Sequence, residues 1–296
     1  LTITDAPLGN ANRADLEALL GKTAGVTTAS ASFDVTNFNA FAASDASDAN
    51  DLITLTATGG AITTANFNAA KANTGAGITA SVTDAAATIV SGSGKLAANT
   101  ADTLTIAVND GKSFGGSGGA SFSDFKTLLA ATDKAKTTVT ATVEESAANL
   151  ATLNADAATD TLTFTVTGSA TGATGVTNFN TLGSLTKKAD GITGTLSASK
   201  SELESLALGD RKASAVAVTV TGDAYTGAEA SKLNDLAGMT AGVVTAEISG
   251  DKDQLTMVNL ANLNSSDAVA LNISTTMNNA TLLEQLQDLK AVTSGK

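Results

Sequence analysis

In 296 residues the chain has no Cys, His or Trp, one Pro and one Tyr, so a Ser-His-Asp relay, a Cys-His pair and the usual zinc or iron ligand sets are excluded. The formal net charge is −12, and the 17 basic residues are spread thinly, which leaves no cluster to follow a nucleic-acid backbone or an anionic lipid surface. No apolar run is long enough for membrane insertion, and the apolar residues are mostly Ala, Val, Leu and Ile with only 3% aromatics, a composition suited to thin, regular packing layers.

Residues 1–4 (Leu-Thr-Ile-Thr) alternate apolar and polar and predict a half-buried strand. A helical pattern follows with Leu16 and Leu19 spaced i, i+3, then a second strand at 25–29 and a helix carrying Phe38 and Phe41. The same order returns at 53–56, with helix anchors Phe67 and Ala70, a strand at 77–80 and a weak helix at 85–91. It returns again at 104–106, with Phe125/Leu128, a strand at 139–141 and Leu150/Leu153. The next copy has a strand at 162–166, Phe179/Leu182, a strand at 191–194 and Leu203/Leu206. After it come 216–220, Leu233/Leu236, 242–246 and Leu255/Val258, and finally 269–271 with Leu286/Leu289.

From Leu16 through Phe67, Phe125, Phe179 and Leu233 to Leu286, the first-helix anchors are separated by 51, 58, 54, 54 and 53 residues. A near-constant interval marks tandem repetition of a strand-helix-strand-helix unit. The predicted boundaries are 1–50, 51–102, 103–160, 161–214 and 215–267, with a half repeat at 268–296. In the third repeat a Gly-rich insertion at 110–119 is read as a flexible surface loop. Capping boxes at Ser199/Glu202, Thr226/Glu229 and Thr281/Glu284, and a weaker one at Ser121/Asp124, support the helix starts. Asn flanking Phe38, Phe67 and Phe179 is read as local backbone bonding, with an Asn ladder as the alternative.

The inward centre of the first strand class is large (Leu55, Ile106, Phe164, Val218, Leu271) and that of the second is small (Ala29, Ala80, Ala141, Gly194, Ala246). Large against small lets adjoining layers interlock. The outward neighbours in the second class are Thr28, Thr79, Thr140, Thr193 and Thr245, which form a Thr ladder if the repeats stack in register. Asp45, Asp48, Asp51, Asp102, Asp156 and Asp160 are the candidates for a metal site, with Ca2+ as the ion, because calcium takes oxygen ligands from irregular loops. The competing reading, solvated turn carboxylates, is favoured because the compact calcium-loop spacings are missing.

The residues at 162–168 (Leu-Thr-Phe-Thr-Val-Thr-Gly), 178–182 (Asn-Phe-Asn-Thr-Leu) and 191–199 (Gly-Ile-Thr-Gly-Thr-Leu-Ser-Ala-Ser) resemble the very large Thr/Ala/Gly-rich repeat proteins of bacterial surfaces, marine cyanobacterial examples among them. The resemblance spans essentially the whole chain in repeat style and carries no binding residues. It implies secretion to the cell surface and a role in a surface layer, matrix fibre or adhesin.

The fold expected is an α/β repeat solenoid, with stacked parallel strands and short covering helices. The alternative is a two-sheet β-solenoid with short helices, the two strand classes lying in separate sheets. The expected function is non-catalytic and structural, with self-association as the main partnership and cell-surface polysaccharide as a further partner. The rival is an adhesin that holds glycan or a solid surface through the Thr ladder. A polysaccharide-active enzyme is disfavoured by the scarcity of aromatic platforms. Because Gly295 falls where another second-class strand is due, the polypeptide is expected to continue in the same register.

Overall fold

The computed structural model describes all residues except 5–6, 45–49, 117–118, 157–158, 187–190, 209–213, 252–259, 264–265 and 274–296. Two compact units emerge, Leu1–Val143 with Asn154–Leu162, and Glu144–Leu153 with Thr163–Lys296. The first holds strands β1 (Thr28–Asp34), β2 (Leu52–Ile62), β3 (Ile78–Asp84), β4 (Thr103–Val108) and most of β5 (Thr137–Glu145). The second holds most of β6 (Thr161–Thr171), then β7 (Ile192–Ser199), β8 (Ala215–Thr221), the two-residue β9 (Tyr225–Thr226), β10 (Val244–Gly250) and β11 (Ala268–Ile273).

Helices fill the intervals: α1 (Arg13–Leu20), α2 (Val35–Ala42), α3 (Thr64–Ala72), α4 (Ala86–Val90), α5 (Phe122–Ala131), α6 (Ala147–Leu150), α7 (Gly172–Leu185), α8 (Lys200–Leu203) and α9 (Ala230–Met239). Strands pair in parallel and in chain order, as an α/β repeat solenoid requires. Within each unit the two strand classes alternate in the same sheet, so the two-sheet alternative is not adopted. A parallel neighbour needs a crossover of a dozen or more residues, and the described helices with their loops supply such crossovers.

Burial follows the two periods. In β1 Ala29, Ala31 and Phe33 face in, and in β3 Ile78, Ala80 and Val82 do so. The helix anchors Phe38, Phe67, Phe125, Phe179 and Leu233 are fully buried beneath them. Leu20 rather than Leu19 is the second buried anchor of α1, the i+4 choice instead of i+3. The predicted anchors Leu255, Val258, Leu286 and Leu289 lie outside the described residues.

Register refines the large-against-small reading. The small residues do meet large ones: Ala29 pairs with Ile53, Ala80 with Leu104, Gly194 with Val216 and Ala246 with Val269. These are the first inward residues of each first-class strand. The central ones, Leu55, Ile106 and Val218, sit between Ala31 and Ile78, Val82 and Val139, and Leu196 and Val244. Only Ala31 among these is small.

Three local expectations differ from what forms. Residues 1–4 make one isolated bridge, Thr2 to Thr28, with a second at Leu8 to Ala31, and no full strand. Second-class strands run further along the chain than their apolar cores suggested, with β1 beginning at Thr28 and β5 ending at Glu145. The Gly-rich insertion is anchored: Phe114 is buried, bridges Ala120 and Val143, and stacks on Phe125 with ring centroids 4.1 Å apart. An aromatic side chain inside a glycine run finds a core slot, and that burial outweighs the freedom of its neighbours.

Phe114 belongs to a recurring device. First-class strands leave the sheet and rejoin it, seen as a register shift between Thr56 and Ala61 in β2 and between Thr165 and Ser169 in β6. A glycine with positive φ sits at each excursion, at Gly59, Gly111, Gly168 and Gly222. Only glycine enters that region without a Cβ penalty.

Candidate functional site

Several of the described buried polar groups share one task, which is to join successive half-units, while the Thr132 hydroxyl bonds back to its own helix. Asp51, Asp102, Asp160 and Asp267 each precede a first-class strand and are at least nine-tenths buried. Each accepts an N–H at or near the start of the preceding second-class strand: Thr27 to Asp51 at 2.7 Å, and Ile78 to Asp102, Val139 to Asp160 and Val244 to Asp267, all at 2.8 Å. Those N–H groups lie at a sheet end where no neighbouring carbonyl reaches them, so a side-chain acceptor is required. Asp102 also receives the Asn99 N–H at 2.9 Å and pairs with the Lys71 ammonium at 2.8 Å. Burial raises the carboxyl of Asp160 above the ordinary range, against the N–H bonds from Asp156 and Val139 that lower it.

Threonine does the same for the other strand class. The Thr74 hydroxyl accepts the Ile53 N–H at 2.9 Å, and Thr240 accepts that of Val216 at 3.1 Å. On the helix side Asn68 donates to the carbonyls of Gly94 and Lys95 and accepts the Ala97 N–H. Asn180 brackets Ser205 and Ala207 in the same manner. The Asn residues that follow Phe67 and Phe179 therefore bond across half-units, not locally.

Of the calcium candidates, Asp45 and Asp48 lie outside the described residues. Asp51, Asp102 and Asp160 are placed one full unit apart, each spent on backbone N–H groups, and Asp156 meets Asp160 through the backbone: its N–H donates to Oδ2 at 2.9 Å and its carbonyl accepts the Asp160 N–H at 2.7 Å. Among the described residues no group of three acidic side chains gathers as a metal site would need. Ser214 and Asp267 occupy the same repeat position as these aspartates and escaped the sequence reading. The signal was present as a polar residue directly before every first-class strand.

The residues on the other face of the sheet are exposed or half-buried. Its outward residues in β1 to β5 are Thr28, Ser30 and Ser32; Leu52, Thr54 and Thr56; Thr79, Ser81 and Thr83; Thr103, Thr105 and Ala107; and Thr138, Thr140 and Thr142. Carboxylates appear only at strand ends, as with Asp34, which caps α2 and is held below its ordinary pKa chiefly by the Asn37 N–H. In the second unit Glu247 interrupts the same pattern, and Asn272 donates to it at 3.1 Å.

All five predicted ladder residues are on this face, with Thr28, Thr79, Thr140 and Thr245 exposed and Thr193 half-buried. They are not one another's lateral neighbours. Thr79 sits in the row Ser32–Thr56–Thr79–Thr103, four residues beyond Thr28, and Thr140 sits in the row Thr83–Ala107–Thr140. In the second unit Thr245 follows Ser197 and Thr219, again four residues beyond Thr193. A shear of four residues moves each copy about 13 Å along the strand direction per unit. The rows that result mix both strand classes.

Two hollows interrupt the helix layer. One of about 220 Å³ lies between α4 and α5, and another of about 250 Å³ between α8 and α9. The second is walled by Leu203, Tyr225, Leu236 and Met239, with the Lys232–Glu204 pair, 2.6 Å apart, at its rim. They open where the second-class helix is only five or four residues long. No helix among the described residues is long and apolar enough to cross a membrane. The chain matches no family model, no curated protein and no solved structure.

Proposed function

We propose that the chain is a non-catalytic structural repeat protein, a segment of a surface layer, fibre or sheath outside a bacterial cell. The observation that carries this reading is where the polar groups go: the buried aspartates and threonines and the half-buried asparagines described above are committed to holding one half-unit against the next. Such nearest-neighbour bonding suits an extensible load-bearing array, in which stability adds up repeat by repeat. An acidic balance of −12 keeps such an array soluble and, at a cell surface, attracts cations without a dedicated cage.

The second reading, an adhesin, is favoured by the exposed Thr/Ser face, which offers hydroxyls at regular strand spacing. Deleting the gene and assaying both envelope and attachment separates the two. A disrupted or missing outer layer is the expected result. An intact envelope with lost attachment to glycan or solid surfaces would transfer the assignment to the adhesin.

A further inference from the structure

The outward sheet face of the first unit is bare of charge in its strand bodies, on a chain that carries −12 overall. Two copies brought together on any acidic surface repel one another. Here they meet without that penalty. The face also gathers exposed apolar side chains. Val26 and Leu52 are 49% and 46% exposed, and Leu52 is the lateral partner of Thr28, two residues beyond Val26 on the same side.

We infer that this face is a self-association surface, which takes the same face of a second copy of this chain in sheet-on-sheet packing. The inference rests on the structural reading above and names the surface through which that role is exercised. Five strands at about 4.8 Å and about six residues of 3.3 Å each give a patch of about 500 Å². Two such patches bury about 1,000 Å² in total, the lower bound for a specific interface. Small Thr and Ser side chains keep the face flat, so the two sheets can approach to about 10 Å. Hydroxyls satisfy one another across such a contact as donor and acceptor, which charged residues of one sign cannot do.

Sedimentation of the full chain from micromolar to millimolar concentration tests this. The wild type is expected to associate, and Thr79→Lys with Thr105→Lys to raise the dissociation constant about tenfold or more, since each copy carries both charges into the contact. Thr88→Lys, on the helix side, is expected to associate as the wild type does. Because the native chain has no cysteine, Thr105→Cys gives an independent readout: a short bis-maleimide should yield a covalent dimer. A wild type that stays monomeric throughout overturns the inference. So does association that the lysine pair leaves unchanged, and that outcome leaves the structural reading standing, because assembly then proceeds through another surface. Monomers that bind glycan or ice through this face also overturn it.

Discussion

Replacing Asp102 with Ala removes the acceptor of three groups at once. Its side chain is fully buried, and that of its partner Lys71 is 13% exposed. The Ile78 and Asn99 N–H groups lose bonds of 2.8 and 2.9 Å, and Lys71 keeps only the Ala76 carbonyl at 3.2 Å. The stranded Ile78 donor is buried and costs about 1–3 kcal/mol, the Asn99 donor lies on an exposed residue and costs less, and breaking a buried ion pair from one side costs about 3–5 kcal/mol. These losses overlap, so the expected destabilisation is about 3–5 kcal/mol. Asp110→Ala is the control: that carboxylate is exposed and bonds only the Lys112 N–H, so its loss is expected to stay near 0.5 kcal/mol. Urea unfolding followed by circular dichroism gives the global shift. Hydrogen exchange gives the local one, which matters because repeat arrays need not unfold in one step. The Ile78 and Asn99 amides should exchange faster in the variant. An unchanged midpoint, with both amides still protected, would refute the role of Asp102 in joining the half-units.

The remaining predictions address other links. A Cβ on Gly242 would lie 2.3 Å from the Val216 backbone, whereas one on Gly25 meets nothing within 4 Å. Gly242→Ala should therefore cost about 1–3 kcal/mol or more in thermal unfolding, and Gly25→Ala should be neutral or mildly stabilising. Phe114→Ala should cost about 3–5 kcal/mol and expose the 110–120 segment to protease, an effect absent if the loop were free. Glu229 is held at about 2 by the Thr226 N–H and then by the Lys200 ammonium. Its contribution is present above the unfolded value of 4.5 and fades as pH falls toward 2, so carboxyl titration by NMR should show a low pKa that Lys200→Met raises. Asp160 has the opposite sign: its raised pKa means that protonation below its folded value relieves a burial penalty. An Asp160→Asn variant, which cannot ionise, should therefore lose more stability relative to the wild type at acid pH than at neutral pH, where the wild type bears the cost of the buried charge.

The repeat was legible because apolar residues recur at two clean periods. Phe67, Phe125 and Phe179 announce their helices by spacing alone, and Leu162-Thr-Phe-Thr-Val announces its strand. Strand limits were harder. Ala29 and Gly194 carry little apolar signal, so the pattern of the second class looked complete before Phe33 and Leu196 had been counted. Lateral register depends on crossover length and on the excursions at Gly59 and Gly168, which no single strand encodes, and so the Thr ladder was expected as a straight rung. The buried aspartates were read as loop carboxylates because burial of a charge is invisible until its donors are located. Their period of about one unit, shared with Ser214, was the available clue.

The proposed role places this chain in an ordered structure outside the cell. Cryo-electron tomography of intact producing cells, with the chain carrying an electron-dense tag, tests it directly. Label confined to a periodic layer or filament beyond the outermost membrane is the expected result. Label in the cytoplasm, or scattered singly over the surface without a lattice or fibre, would contradict it.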